Sequence, residues 1–234
     1  MSNSLVRPGS SAPFRRPRFG PELEIVNRFH ESLRSARWDN AVTVFVEPRL
    51  NGRYPDLVAV FWDQRRAAKW PSVRATLTAH ELRYLHRLHM VHSINIDELV
   101  SCIGRAKTER LVTRLLDADV ATIRNWHLVR RPLRDVFAVT RIVAFEAKVN
   151  HWRAGLHQAF FNSWFSSETY LLLSRCADQP ALVERAAELG VGVITADEAL
   201  ARPSVKPRKD RIPKSYGSWL FNEWVWRRSS AAAA

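Results

Sequence analysis

The chain has 234 residues, of which 46% are hydrophobic and 25% charged, and it contains nine tryptophans and only eight glycines. This composition excludes an intrinsically disordered or collagen-like protein, and it suffices for one domain or two modest ones with hydrophobic cores. The formal net charge of +13 indicates a polyanionic partner, for which nucleic acid is the usual candidate.

The positive charge is concentrated in three segments. Residues 1–20, 64–134 and 202–234 carry net charges of +4, +8 and +6, whereas 21–63 and 135–201 carry −2 and −3. Two mildly acidic segments therefore alternate with three basic ones. This distribution is typical of an acidic, metal-binding site flanked by segments that bind phosphate groups.

Cysteine content and hydropathy indicate the compartment in which the protein works. Cys102 and Cys176 provide neither a disulfide framework nor a metal-ligand spacing, so we expect a reducing environment. The longest apolar runs, 57–62 and 170–173, have the length of strands, so we predict no membrane span and no membrane partner. The Arg-rich segment 1–20 contains prolines that oppose a presequence helix and favour a flexible basic arm. We therefore expect a cytoplasmic or nucleoid-associated protein that is not secreted.

The two acidic segments, 21–63 and 135–201, are predicted to form one α/β sheet domain. Its elements are a helix from Pro21, strands at 41–46 and 57–62 separated by an Asn51-Gly52 hairpin turn, a strand at 139–149, a helix at about 151–165, a strand at 169–173, a helix at 181–189 and a strand at 191–195. The order is αββ, an interruption, and then βαβαβ. It favours one sheet covered by helices.

The interruption, residues 64–134, has its own pattern of elements. We predict helices from Thr78 to about Met90, from Asn95 through 96–103, and at 107–116, followed by a two-stranded ribbon at 120–130 that turns at Arg124-Asn125. Three helices and a ribbon, with cations on the third helix and the ribbon, resemble a winged helix-turn-helix. The resemblance implies that this segment binds DNA.

Basic residues of this insertion are the predicted nucleic-acid contacts. Three cations of the third helix are spaced three and four residues apart, which places them on one face. The expected contacts are Lys107, Arg110 and Arg114 on this helix and Arg124, Arg130 and Arg131 on the ribbon. The alternative for the helix is a solvated charged stripe.

Two predicted strands of the sheet domain carry charged residues at one end of an otherwise apolar run. Side chains two apart share a face of a strand, so Glu146 and Lys148 point one way and Ala147 the other. Asp56 follows Pro55 and opens the neighbouring predicted strand. Two carboxylates can hold Mg²⁺, which retains several water ligands, and a lysine beside a metal-bound water can orient it.

At these residues the chain resembles the PD-(D/E)XK nuclease superfamily. Pro55-Asp56 and Glu146-Ala147-Lys148 match the two parts of the family motif. The resemblance covers about residues 20–63 and 136–197. It implies a restriction-endonuclease-like αβββαβ core with a mixed sheet, interrupted by the winged-helix-like insertion. It also implies Mg²⁺, with Mn²⁺ as a substitute, held by Asp56, Glu146 and the Ala147 carbonyl, and a catalytic Lys148.

The same family implies further site residues. Members tend to place a glutamate on the first helix, here Glu22 with Glu24 as the alternative, and many carry a glutamine on the helix after the third strand, here Gln158. Arg153 on that helix is expected to reach a phosphate, and Glu47 is another candidate acid. For Asp56, Glu146 and Lys148 the alternative is a structural cross-strand ion pair in an inert nuclease-like fold, and for Glu22 it is a charge that stabilises the helix start.

The sequence therefore predicts a metal-dependent DNA endonuclease acting in restriction, defence, repair or recombination. Many family members dimerise to cut both strands, so a homodimer is expected from the resemblance. The alternatives are a non-catalytic DNA-binding protein and an accessory subunit that docks a protein partner through the basic, Trp-rich tail 202–234. RNA stays open as a substrate, because binding dominated by phosphate contacts discriminates poorly.

Overall fold

A computed structural model describes residues 19–175 and 179–232. Nearly all of the predicted basic arm, and Cys176, lie outside the described residues, whereas Cys102 is an exposed free cysteine. Within this part of the chain, no helix combines the length and the apolarity needed to cross a membrane.

The secondary structure follows the predicted order. The chain begins with α1 (Pro21–Ser35), β1 (Ala41–Val46) and β2 (Leu57–Trp62). The insertion contains α2 (Gln64–Ala67), a 3₁₀ turn (Ser72–Thr76), α3 (Ala79–Val91), β3 (Ser93–Asn95), α4 (Ile96–Ile103), α5 (Arg105–Asp117), β4 (Ala121–Arg124), β5 (His127–Arg130) and α6 (Leu133–Val136). The chain continues with β6 (Val139–Lys148), α7 (Trp152–Phe161), a 3₁₀ turn (Asn162–Trp164), β7 (Glu168–Leu173), α8 (Pro180–Leu189), β8 (Gly192–Thr195) and α9 (Tyr216–Ala232).

The chain divides into two compact units. The sheet unit runs to Phe61 and resumes over Thr140–Lys214, and the insert unit comprises Trp62–Val139 and the residues from Ser215 onward. The tail predicted as one segment is therefore shared between the units. Its first part belongs to the sheet unit because Val205 exchanges two backbone hydrogen bonds of 3.0 Å with Val193 of β8.

The sheet unit is a five-stranded mixed sheet with helices on both faces, which confirms the predicted α/β class. The strand order is β1-β2-β6-β7-β8, and β6, β7 and β8 run parallel. On one face α1 buries its apolar stripe, which ends in Phe29 and Leu33, against alternate strand residues such as Phe145 and Ala147. On the other face α7 and α8 pack on a second apolar cluster that includes Leu171. The alternation predicted for the end of β6 is thus present.

The insert unit contains the predicted three helices and ribbon. Thr78 and Glu81 form the predicted capping box of α3, and the Asn95 side chain caps α4. β3, β5 and β4 form a small antiparallel sheet in that order. The ribbon turns at Asn125-Trp126, one residue later than expected, and both residues have positive φ (47° and 60°). Positive φ at both central residues defines a type I′ hairpin turn.

The tail ends in α9, a helix that the sequence analysis did not predict. Its tryptophans Trp219, Trp224 and Trp226 are buried in the insert unit, so they do not face solvent as stacking on bases would require. The ring centroid of Trp219 lies 4.8 Å from that of His89 and 5.0 Å from that of Phe137. The apolar area of the tail thus completes the core of the insert unit.

Candidate active site

Asp56 and Glu146 are brought together because β2 and β6 are neighbours in the sheet. Asp56 directly precedes β2, and Glu146 lies two residues before the end of β6. The backbone N–H of Ala147 donates a hydrogen bond of 2.8 Å to Oδ2 of Asp56. This bond ties the predicted Asp56 carboxylate to the strand that carries the Glu146-Ala147-Lys148 motif.

Glu146 is held by a residue that the sequence analysis did not identify. Its side chain is buried, with 7% of the residue exposed, and its Oε1 accepts a 2.8 Å hydrogen bond from Nδ2 of Asn162. Asn162 is itself buried, and its backbone oxygen accepts hydrogen bonds from the amide and the hydroxyl of Ser166. The amide donor is therefore fixed in place before any ligand binds.

The pKa values of both carboxyl groups are shifted from their ordinary values. Burial raises the pKa of Asp56, an effect opposed by the Ala147 N–H and by the positive charge of Lys148. Burial also raises the pKa of Glu146, well above its ordinary value, and the adjacent Asp56 raises it further. Two close carboxyls in a desolvated site favour retention of a proton, and a bound cation would take the place of that proton.

Lys148 pairs with the first helix at the predicted glutamate. Its Nζ lies 3.1 Å from Oε1 of Glu22, and the two side chains are 16% and 47% exposed. The charge of Glu22 also acts on Asp56, where it raises the pKa. Glu24 is exposed on α1. The structure therefore brings together Glu22, Asp56, Glu146 and Lys148, and it places Glu22 rather than Glu24 at this site.

The backbone of a fourth acid, Glu47, contacts the backbone of Asp56. Its N–H donates a hydrogen bond of 3.1 Å to the backbone oxygen of Asp56, and the residue is buried. Its φ of 43° is uncommon for a residue other than glycine. Glu47 thus fixes the backbone from which the Asp56 side chain projects.

Two predicted residues of α7 lie on its exposed surface. Gln158 is exposed, and the Arg153 guanidinium stacks 4.4 Å from the ring centroid of the adjacent Trp152. The amide side chain that contacts Glu146 comes instead from Asn162, at the turn that follows this helix.

Gly155 is a second residue missing from the predicted site. A Cβ at this position would lie 2.6 Å from Cγ of Lys148 and 2.5 Å from Cδ1 of Leu171, distances that real Cβ atoms do not reach. The absence of a side chain therefore lets α7 approach the stem of Lys148. A lone glycine inside a helical pattern was the available signal, because such a glycine usually has a packing reason.

The donor set of the site fits a hard cation that keeps most of its water. Within residues 19–175 and 179–232, no cluster of three or more His, Cys, Asp or Glu side chains is arranged to hold a metal ion. Asp56 and Glu146 form a pair of carboxylates, each with one oxygen engaged by an N–H donor. Mg²⁺ is commonly bound by one or two carboxylates plus waters and substrate phosphates, so this pair meets its minimum requirement.

The predicted nucleic-acid contacts of the insert unit fall into two groups. Lys107, Arg110 and Arg124 are exposed. The other three make contacts within the unit: Arg114 pairs with Glu81 at 2.8 Å, Arg131 pairs with Asp119, and Arg130 donates a 3.2 Å hydrogen bond to the His89 carbonyl. Among the residues that the structure describes, no ion pair engages this exposed trio, so all three are available for an external anion.

No protein-family model matches the chain, and neither a curated protein nor a solved structure is detectably similar to it. The resemblance in the two short motifs therefore has no independent support from a relative. The chemistry of the site itself supplies the basis for a functional proposal.

Proposed function

We propose that the protein is a metal-dependent DNA endonuclease of the PD-(D/E)XK type. The observation that carries the proposal is the carboxyl pair of the buried Glu146 and the partly buried Asp56, which accepts a hydrogen bond from the Ala147 N–H, with Lys148 two residues beyond Glu146 on the same strand and held by Glu22. Burying two mutually repelling carboxyls is unfavourable for folding unless a cation or a proton compensates. A site that binds a divalent cation beside a phosphodiester accounts for this arrangement.

In the proposed site Asp56, Glu146 and the Ala147 carbonyl would hold Mg²⁺, with Glu22 at the periphery. When bound, the ion supplies Lewis-acid polarisation of the scissile phosphate and lowers the pKa of a coordinated water. Asn162 and the Ala147 amide each fix one carboxylate oxygen, so the remaining oxygens are oriented before the cation arrives. This preorganisation reduces the reorganisation needed for binding.

Lys148 is proposed to act on the water and the phosphate. Its side chain is 16% exposed, and the ion pair with Glu22 holds the ammonium beside the carboxyl pair. From there it orients the attacking water and stabilises the negative charge that develops as the new P–O bond forms and the bond to the leaving oxygen breaks. A proton from the water ends on the departing oxygen, which balances the hydrolysis.

The insert unit is proposed to bind the duplex. Its order of helix, strand, two helices and two strands matches that of a winged helix-turn-helix, in which the third helix and the ribbon contact DNA. Lys107 and Arg110 are exposed on the corresponding helix, α5, and Arg124 is exposed on the ribbon. These cations supply phosphate contacts, which dominate affinity and depend on salt.

The decisive experiment is cleavage of supercoiled plasmid, linear duplex and branched DNA with Mg²⁺ or Mn²⁺ against EDTA. Wild type is compared with Lys148→Ala and Asp56→Ala, and DNA binding of all three is measured by fluorescence anisotropy. We expect metal-dependent cutting that both substitutions abolish while affinity for DNA is retained. Cutting that survives both substitutions would place the activity elsewhere. A labelled RNA duplex, assayed in parallel, tests the alternative substrate.

A second function, a non-catalytic DNA-binding regulator, is favoured by one observation. The cations Lys107, Arg110 and Arg124 are exposed in the insert unit, whereas Lys148 of the proposed site is engaged by Glu22. A wild-type protein that binds DNA but cuts none of these substrates, and whose Mn²⁺ binding does not depend on Asp56, would favour this function. The insert unit would then be the active half of the molecule.

A further inference from the structure

We propose that Arg53, stacked on Phe161, forms a phosphate-binding clamp beside the carboxyl pair and holds the cleaved strand there. The inference rests on the proposed nuclease function, and it assigns to that site a substrate contact that neither motif contains. It follows from three features of these two residues: a fixed backbone, a stacked guanidinium and their position in the chain.

The backbone of Arg53 is fixed by a tight turn. Asn51 and Gly52 have φ values of 50° and 79°, as a type I′ turn requires. The N–H of Leu50 donates a 2.8 Å hydrogen bond to the Arg53 carbonyl, and the N–H of Arg53 donates one of 2.9 Å to the Leu50 carbonyl. Arg53 therefore leaves the turn in a defined direction.

The side chain of Arg53 is oriented by an exposed aromatic ring. Its Cζ lies 4.2 Å from the ring centroid of Phe161, which is 49% exposed. Within residues 19–175 and 179–232, no carboxylate pairs with this guanidinium. Stacking covers one face of the group and leaves the N–H donors free at its edges, where they can bind a phosphate through two hydrogen bonds.

The chain connections place this pair next to the carboxyl site. Arg53 precedes Asp56 by three residues, which span at most about 10 Å. Phe161 directly precedes Asn162, whose side chain donates to Glu146. Arg53 is thus close in the chain to Asp56, and Phe161 adjoins the residue that contacts Glu146. An anion bound at Arg53 would therefore lie close to the proposed position of the scissile phosphate.

The positive charge of Arg53 opposes the repulsion between the carboxyl pair and the DNA backbone. Two carboxyls repel a polyanion when no cation is bound, and the segment 21–63 has a net charge of −2. An exposed arginine at the rim offsets that repulsion and fixes the position of the strand by a contact to its backbone. The expected ligand is therefore a phosphodiester group of the strand being cut, rather than a base edge.

The test compares Arg53→Ala with Arg49→Ala, an exposed arginine of the same loop, and Phe161→Leu with wild type. Affinity for a fluorescein-labelled DNA duplex is measured with Ca²⁺ over a range of salt concentrations, and single-turnover cleavage of the same duplex is measured with Mg²⁺. Mn²⁺ titration and circular dichroism establish that each variant folds and binds metal.

We expect Arg53→Ala to slow cleavage about tenfold or more, as loss of a charge-assisted contact does. The slope of log affinity against log salt should fall by about one, a change that a purely structural residue would not produce. Phe161→Leu should show a weaker form of the same loss, and Arg49→Ala should resemble wild type. Equal losses in Arg49→Ala and Arg53→Ala, or no loss in Arg53→Ala, would overturn the clamp.

The outcomes also separate the clamp from the nuclease proposal. If wild type binds DNA but never cuts it, the nuclease proposal fails and Arg53 holds no cleaved strand, while a reduced salt slope in Arg53→Ala still supports the phosphate contact at this residue. If wild type cuts DNA and Arg53→Ala cuts equally well with an unchanged slope, the clamp alone fails. If wild type does not bind DNA, both are overturned.

Discussion

The side-chain amide of Asn162 donates a 2.8 Å hydrogen bond to Oε1 of Glu146, the most perturbed carboxylate of the proposed site. The Ala147 amide makes the equivalent contact to Oδ2 of Asp56. One oxygen of each acid is therefore fixed by a neutral N–H donor, which favours the charged form that a cation requires. These two donors offset part of the desolvation cost of the carboxyl pair, and a proton or a metal ion must offset the remainder.

Asn162→Ala removes this donor and leaves Glu146 buried without it. We expect Mn²⁺ affinity to fall about 10- to 100-fold, as is usual when a partner of a metal-binding carboxylate is lost. The free energy of unfolding should fall by about 1–3 kcal/mol, the cost of an unsatisfied buried group. Isothermal titration calorimetry and urea denaturation measure the two effects.

Gln158→Ala is the matched control for Asn162→Ala, since it removes an amide side chain from the exposed surface of α7. We expect it to change neither metal affinity nor stability by more than about 0.5 kcal/mol. The opposite order of effects would assign Gln158 the role that the family resemblance implies and would remove Asn162 from the site.

Most of the fold was predictable from local patterns. The apolar runs at 41–46 and 57–62 and the Asn51-Gly52 turn gave the β1–β2 hairpin, and the capping box at Thr78 gave the start of α3. α9 was not predictable in this way, because its buried residues, polar Asn222 and Glu223 among them, run continuously over 221–226 rather than along one stripe. A helix that is buried all round lacks the periodicity that identifies an amphipathic one.

The site was predictable only where residue type and strand position coincide. Asp56, Glu146 and Lys148 stand at strand ends in a short motif, and Glu22 stands at the start of a helix. Asn162 was missed because its contact depends on a 3₁₀ turn that follows α7, where the sequence pattern predicted a continuous helix. Contacts that depend on where a helix ends are the least accessible to periodicity.

Metal-free protein should lose stability as the pH rises, because Asp56 and Glu146 ionise in a site that disfavours their charged forms. The folded-state pKa values of Asp56 and Glu146 are raised, so their contribution to stability is complete below the unfolded values near pH 4. It is lost as the pH rises through the folded values. Asp56→Asn cannot ionise at this position, so its stability relative to wild type should increase with pH.

Urea denaturation of wild type and Asp56→Asn in EDTA, from about pH 5 to about pH 8, tests this pH dependence. Mn²⁺ should restore stability to wild type and much less to Asp56→Asn, because only the native state of wild type offers both carboxylates. A constant difference between the two proteins across the pH range would show that the pair does not titrate as proposed.

Basic residues of the insert unit should separate into binding and structural groups. Lys107→Ala, Arg110→Ala and Arg124→Ala should each weaken DNA binding and reduce the salt slope by about one, without loss of stability. Arg114→Ala should instead lower the free energy of unfolding by about 1 kcal/mol or more, because it leaves the buried Glu81 carboxylate without its ion pair. Anisotropy across salt concentrations and urea denaturation distinguish the groups, and an equal salt effect from Arg114→Ala would contradict the division.

Gly155→Ala should impair cleavage while metal binding persists. The new Cβ would approach Cγ of Lys148 to 2.6 Å, so the lysine stem must shift, and we expect this shift to displace its Nζ from the position beside Glu22. A displacement of about 1 Å in a reacting group can cost about 100-fold in rate. Asp56 and Glu146 are not contacted by this Cβ, so Mn²⁺ affinity should stay within about threefold of wild type, less than 1 kcal/mol.

The control for Gly155→Ala is Ala154→Met, which adds a larger side chain at the exposed neighbouring position of α7. It should cut DNA at the wild-type rate, because a helix-compatible side chain in solvent leaves Lys148 in place. Alanine raises helix propensity relative to glycine by about 1 kcal/mol, but its Cβ would also lie 2.5 Å from Cδ1 of the buried Leu171, so we expect the free energy of unfolding to fall by about 1–3 kcal/mol, and urea denaturation measures that loss. Slow cleavage with intact folding and metal affinity would therefore identify the position of Lys148 as the cause. Wild-type cleavage by Gly155→Ala would show that the rate does not depend on the close approach of α7 to Lys148.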